Sequence, residues 1–172
     1  MAGLTIESDD PHTPYLAIPL RGFAPGSAAI TRHLDLPAGW SMVSLPVILD
    51  DARVSAVFPG ARVVYGYAST YELLGPLDEL TVGKGYWIFL SEARIFSLSG
   101  DPIEHFTLPQ CPAGWSLIGG CSHPATASVQ YGRIRALAGF ANGYRLHSPG
   151  GTLEPGTGYW IHLSEQTALS VE

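Results

Sequence analysis

An all-β fold built from two tandem, pseudo-symmetric repeats is what this sequence predicts, and three observations predict it. The first is internal repetition. Pro37-Ala38-Gly39-Trp40-Ser41 recurs as Pro112-Ala113-Gly114-Trp115-Ser116, an offset of 75 residues. Gly83-Lys84-Gly85-Tyr86-Trp87-Ile88 recurs as Gly156-Thr157-Gly158-Tyr159-Trp160-Ile161, an offset of 73. Two motifs in the same order at nearly the same offset describe one structural unit used twice. The second observation is punctuation: 20 Gly and 14 Pro are scattered between short apolar runs, the pattern of short strands joined by tight turns. The third is composition, since 46% of the 172 residues are hydrophobic and only 14% charged, which suffices to bury a core.

The front of the chain, residues 1–25, reads as a β-hairpin, followed by a linker at Gly26-Ser27-Ala28-Ala29. Repeat one spans 34–100 and repeat two 106–172, with Ser99-Gly100-Asp101-Pro102 read as the junction. Each repeat opens on a Pro-Ala-Gly turn that runs into an apolar strand, at 40–45 and 115–118. Each closes on a Gly-x-Gly turn feeding a Tyr-Trp-Ile-x-Leu strand, whose aromatic and β-branched residues suit a pleated, half-buried surface. Between these ends lie further short strands at 62–67 and 71–74, matched by 134–140 and 144–147. Asn142-Gly143 marks a hairpin, because both residues tolerate the positive φ of a type I′ turn. Residues 50–58 and the matching 125–132 are the only stretches expected to form a helical turn. The short strands are expected to assemble as a sandwich or barrel-like unit.

Period-two alternation divides the closing strand into two faces. Tyr86, Ile88 and Leu90 share one face with their counterparts Tyr159, Ile161 and Leu163, so this face is expected to point into the core. Trp87 and Phe89 share the other. Its change to Trp160 and His162 in repeat two indicates partial exposure or a boundary position.

With these motifs in hand, the pattern Leu36-Pro37-Ala38-Gly39-Trp40 followed by Gly83-Lys84-Gly85-Tyr86-Trp87-Ile88 resembles the Gly-Trp…Gly-x-Gly-Tyr-Trp-Ile repeats near the C-terminal ends of large secreted and surface proteins of bacteria. Repeat two departs from that family at Gly119-Gly120-Cys121, where an apolar residue and Pro are usual. The front, from Ile6 to Ala24 with Ser8-Asp9-Asp10-Pro11 as its turn, is similar to the last two strands of an ASPM/SPD-2/hydin-type immunoglobulin-like domain. These resemblances imply an accessory, extracellular or cell-surface module, and they carry no catalytic residues. Two strands alone do not bury a core, so the hairpin is expected to dock, to pair with another chain or to hang free, and the chain is expected to be a piece of a larger protein.

The cysteines, Cys111 and Cys121, flank the opening turn and strand of repeat two, where repeat one has Leu36 and Pro46. Their joint appearance is expected to mark a disulfide, and with it an oxidising compartment, against the alternative of two unpaired buried thiols. A straight strand between them would hold them well beyond disulfide reach, so the bond requires the chain to fold back. His105 and His123 nearby do not complete a zinc pattern. Asp9-Asp10 and Asp50-Asp51 lack the spacing of a calcium loop and read as turn residues.

Function classes narrow accordingly. The net charge of −6 comes without a basic patch, which excludes an electrostatic footprint for nucleic acid. No apolar run approaches the length of a membrane-spanning helix. The sequence contains no Gly-x-Ser-x-Gly elbow, His-Glu-x-x-His, Cys-x-x-Cys or phosphate loop, so no catalytic, metal or cofactor residue is assigned. The Gly-x-Gly pairs lack a dinucleotide site's third glycine and read as turns.

The expected function is therefore non-catalytic and structural. It is a spacer or assembly module that works with neighbouring domains or self-associates by strand addition at an unpaired edge. The alternative is a carbohydrate-binding module with a polysaccharide partner, using Trp87, Trp160, Tyr86 and Tyr159, among the aromatics that recur in both copies together with Trp40 and Trp115.

Overall fold

The computed structural model describes strands at residues 2–7 and 15–20 and every residue from 28 to 172. At the front, β1 (Ala2–Glu7) and β2 (Tyr15–Leu20) pair antiparallel, from Ala2 opposite Leu20 to Glu7 opposite Tyr15, as expected of a hairpin. The turn with Asp9-Asp10, and Gly26-Ser27 of the linker, lie outside the described residues.

Repeat one runs through β3 (Ile30–Leu36), β4 (Gly39–Ser44), β5 (Val47–Ile48), helical turn α1 (Val54–Val57), β6 (Val63–Tyr67), β7 (Tyr71–Leu73), β8 (Gly85–Leu90) and β9 (Arg94–Pro102). Repeat two runs through β10 (Phe106–Cys111), β11 (Gly114–Ile118), β12 (Ala125–Val129), β13 (Ile134–Phe140), β14 (Tyr144–His147), β15 (Thr152–Leu153), β16 (Tyr159–Leu163) and β17 (Thr167–Val171). Each repeat divides its strands between two antiparallel sheets. Repeat one has orders β3-β9-β5 and β4-β8-β6-β7, and repeat two has β10-β17-β12-β15 and β11-β16-β13-β14. The second sheet of each repeat has the same order of equivalent strands.

The alternation in the closing strands decides where these sheets go. Tyr86, Ile88 and Leu90 enter the core of repeat one with Val43, Phe58 and Phe96, and Tyr159, Ile161 and Leu163 enter that of repeat two with Leu137, Leu153 and Leu169. The opposite face carries Trp87 and Trp160 into a third cluster with Met42, Leu117 and Ala138, which joins the two repeats. The Trp face is thus a boundary face, as its changing composition indicates.

A sandwich or barrel does not form. Four small sheets pack in a propeller-like ring. The reason is that the central sheets are apolar on both faces, so a two-layer sandwich would leave the Trp face in water. On another side of the ring Ser122 ties the repeats: its hydroxyl donates to Pro46 O and accepts from Ile103 N–H, and its carbonyl accepts from the Arg32 guanidinium at 2.6 and 3.1 Å.

Three further expectations are corrected. Residues 125–132 do not form a helical turn. Val54, Val57 and Phe58 point to one side at helical spacing, whereas Ala125 and Ala127 are buried on alternate positions of β12, which pairs with β17. Ser99-Gly100-Asp101-Pro102 is not a junction but the end of β9, where Gly100 pairs with Ile30 and Asp101-Pro102 pair with β5. Cys111 and Cys121 form no disulfide; both are free, buried thiols in the core of repeat two. β11 runs straight between them along its own sheet, paired to β16 at every position, so the fold-back that a bond requires is absent. Burial holds both thiols above their ordinary pKa, and the Glu104 charge adds to the rise at Cys121.

Candidate functional site

The two repeats are locked by a reciprocal exchange of their Gly-x-Gly loops. Thr157 bridges to Val43 on the free edge of β4, and Lys84 bridges to Ile118 on the equivalent edge of β11. Ser44 N–H donates to Gly156 O and Gly119 N–H donates to Gly83 O, each at 2.9 Å, while Gly158 N–H donates to Met42 O at 3.1 Å. The glycines have a steric cause. A Cβ on Gly85 would lie 2.6 Å from Ile118 O, and one on Gly158 would lie 2.9 Å from Val43 O. The following tyrosines hold the loops in place: Thr81 N–H donates to the Tyr86 hydroxyl at 2.6 Å, and Glu154 N–H donates to the Tyr159 hydroxyl at 3.0 Å. Burial raises both phenols above their ordinary pKa.

The departure at Gly119 also finds its reason here. Gly119 is the counterpart of Ser44, and the two face each other across the pseudo-twofold axis. A Cβ on Gly119 would lie 2.5 Å from that of Ser44. Only one member of the pair has room for a side chain.

This lock presses the two Trp faces into an aromatic seam whose contacts have symmetry mates, except those of Tyr65 with Trp40 and Tyr71, because Ala138 stands at its counterpart. Trp87 meets Phe140 edge-on at 4.8 Å between ring centroids, and Trp160 meets Tyr67 at 4.7 Å. Trp87 meets Tyr144 at 6.3 Å and Trp160 meets Tyr71 at 6.2 Å. Trp40 leans on Trp87 and Phe89, as Trp115 leans on Trp160 and His162. Each edge-to-face pair adds about 0.5–1.5 kcal/mol beyond burial, so the seam is rigid as well as apolar.

Two clefts open along the seam. One, of about 500 Å³, is walled by Trp40, Tyr65, Tyr71, Trp87 and Phe140. The other, of about 430 Å³, is walled by Tyr67, Tyr71, Trp115, Tyr144, Leu146 and Trp160, with Ala138 where repeat one has Tyr65. Tyr71 walls both, so the clefts adjoin. Trp40 and Trp115 keep 42% and 43% of their surface exposed, and Tyr71 and Tyr144 keep 51% and 61%, so these four rings offer faces to a ligand. Burial raises the Tyr71 phenol above its ordinary pKa, and the nearby Tyr144 phenol pushes the same way. Trp87 Nε1 and His162 Nδ1 are buried without a hydrogen-bond partner.

Comparison with protein-family models, curated proteins and solved structures gives no match. The chemistry must therefore be read from the chain itself. Tyr86 and Tyr159 are each 3% exposed and belong to the cores, which corrects their place in a carbohydrate surface: their rings fill the repeats and their hydroxyls brace the loops. Trp87 and Trp160, at 8% and 9%, form the floor of the seam, and Trp40 and Trp115 form its accessible rims. Tyr65, Tyr67, Phe140, Tyr71 and Tyr144 were not singled out by the sequence reasoning. Their signal is there nonetheless, since Tyr67/Phe140 and Tyr71/Tyr144 recur at the same 73-residue offset as the Trp motif. The described residues contain no group of three or more His, Cys, Asp or Glu placed to hold a metal, and no helix long and apolar enough to cross a membrane. Asp51 is engaged with Arg53, whose guanidinium beside it holds the carboxyl down at about 2.

Proposed function

We propose that the chain is a non-catalytic structural and assembly module of a larger secreted or surface bacterial protein, and that it meets its partner through the aromatic seam. The observation that carries this reading is the seam itself. It is a preorganised set of half-exposed rings held by the reciprocal loop exchange, and no carboxylate, imidazole, thiol, amine or aliphatic hydroxyl lines either cleft. Extracellular placement rests on the resemblance of the repeats; the free cysteines add nothing to it. Self-association by strand addition belongs to the same proposal. Light scattering on the full chain and on a chain lacking residues 1–25 tests it, and an unchanged mass counts against strand addition through the hairpin.

One observation favours the carbohydrate-binding alternative: Trp40 and Trp115 present accessible indole faces of the kind that stack on sugar rings. That reading now rests on Trp40, Trp115, Tyr71 and Tyr144 above the Trp87 and Trp160 floor. A glycan array probed with the full chain tests it.

A further inference from the structure

We infer that the seam is a binding groove for an extended, proline-rich peptide segment, one subsite on each side of the pseudo-twofold axis. The inference rests on the assembly reading above and names the chemistry of the partner.

The hydrogen-bonding inventory of the groove carries the argument. Apart from phenol hydroxyls, the only polar side-chain atoms on the residues that line the two clefts are indole N–H groups, of which that of Trp87 is buried; neither cleft is lined by a carboxylate, amide, guanidinium, ammonium or imidazole. Indoles only donate, and phenol hydroxyls donate as well as accept, so donor atoms outnumber acceptor atoms in the groove. A ligand that buries more donors there than the four phenol oxygens can accept leaves the surplus unpaired and binds more weakly. Sugar hydroxyls are such donors. Proline, by contrast, has no backbone N–H, and a proline-rich strand shows only carbonyl acceptors and flat apolar rings. Its left-handed extended conformation is preformed, so little entropy is lost when it docks between aromatic ridges.

Charge and size agree. The chain carries a net charge of −6, yet no charged side chain lines the seam, so the buried part of the ligand is neutral. A single quaternary ammonium group also lacks donors. It is, however, a cation far smaller than two adjoining clefts of about 500 and 430 Å³, which call for an extended ligand. The shared wall at Tyr71 makes the two subsites continuous, and the symmetry of Trp40 and Trp115 gives a chain crossing the axis an indole rim at both ends.

The test titrates the full chain with an oligoproline peptide, a Gly/Ser peptide of equal length, cello- and chito-oligosaccharides, and choline, read by tryptophan fluorescence and calorimetry. Saturable binding of oligoproline with no saturation by the Gly/Ser peptide is expected. Trp40→Ala and Trp115→Ala should each weaken binding about thirty-fold, the loss seen when an anchoring Trp is truncated, with circular dichroism unchanged. Tyr71→Phe, which keeps the ring, should weaken it far less than Trp40→Ala. Oligoproline binding no better than Gly/Ser overturns the inference. Saturation by an oligosaccharide or by choline instead also overturns it, and the oligosaccharide result transfers the seam to the carbohydrate reading. The assembly reading fails separately, when light scattering and cross-linking find the full chain monomeric and without a protein partner.

Discussion

Replacing Gly85 with alanine adds a single methyl group, and the fold gives that methyl nowhere to go. Gly85 has no positive φ to lose, so the backbone tolerates alanine and the effect is purely steric. The new Cβ would stand 2.6 Å from Ile118 O and 2.9 Å from Leu117 Cγ, closer than Cβ atoms approach their neighbours. The atom it meets first is backbone, held in register by β16, and has no rotamer with which to retreat. Forcing a methyl into such a contact costs about 1–3 kcal/mol. If the loop backs away instead, the Gly119 N–H to Gly83 O bond is lost, worth about 0.5–1.5 kcal/mol. Whichever response the fold makes, the penalty is about 1–3 kcal/mol, or a fall in Tm of about 2–12 °C for a chain of this size. Urea and thermal denaturation followed by tryptophan fluorescence measure it directly. Gly150→Ala is the control, because nothing lies within 4 Å of the added Cβ there. A Gly85→Ala protein within about 0.5 kcal/mol of the parent would refute the interlocking of the repeats through these loops.

Trp160→Ala should cost about 3–5 kcal/mol in chemical denaturation, since the ring is nearly buried at the repeat boundary. Trp115→Ala, on the exposed rim, should cost about 1 kcal/mol, and the reverse order would contradict the assignment of floor and rim. Cys111 and Cys121 should resist alkylation in the native protein and both react after unfolding, and an intact mass that rises on reduction would show a bond after all. Stability should fall at alkaline pH through Tyr86 and Tyr159. Their folded pKa values are raised above the ordinary 10.0, so their contribution is complete below that pH and is lost as pH rises toward the folded values. A Tyr86→Phe, Tyr159→Phe double variant that keeps the parent's alkaline profile would show that other groups govern it.

Much of the fold was legible because the repeat and the period-two pattern are local signals. The strands at β4, β6, β7, β8 and their counterparts β11, β13, β14 and β16 fall where alternation and turn residues put them. What escaped was non-local. β9 and β17 pair with strands far away in sequence, and Gly100-Asp101-Pro102 imitates a turn while ending the central strand of its sheet. The cysteines gained together in repeat two looked like a pair, but replacing an apolar residue in a core needs no bonding partner. The seam was half legible. Alternation separated the Trp face from the core face, yet only the juxtaposition of two repeats shows that Tyr67 of one copy fills the edge of Trp160 in the other. The Gly-x-Gly pairs read correctly as turns, but the reason for their second glycine lies on the opposite repeat.

Because each repeat completes its neighbour's open strand edge, a solitary copy would present both an unsatisfied β4-type border and an idle loop. The viable currency of duplication is consequently the couple. Longer arrays of this unit should occur in even numbers, and an odd member should be found capped by some other segment or married to a second molecule.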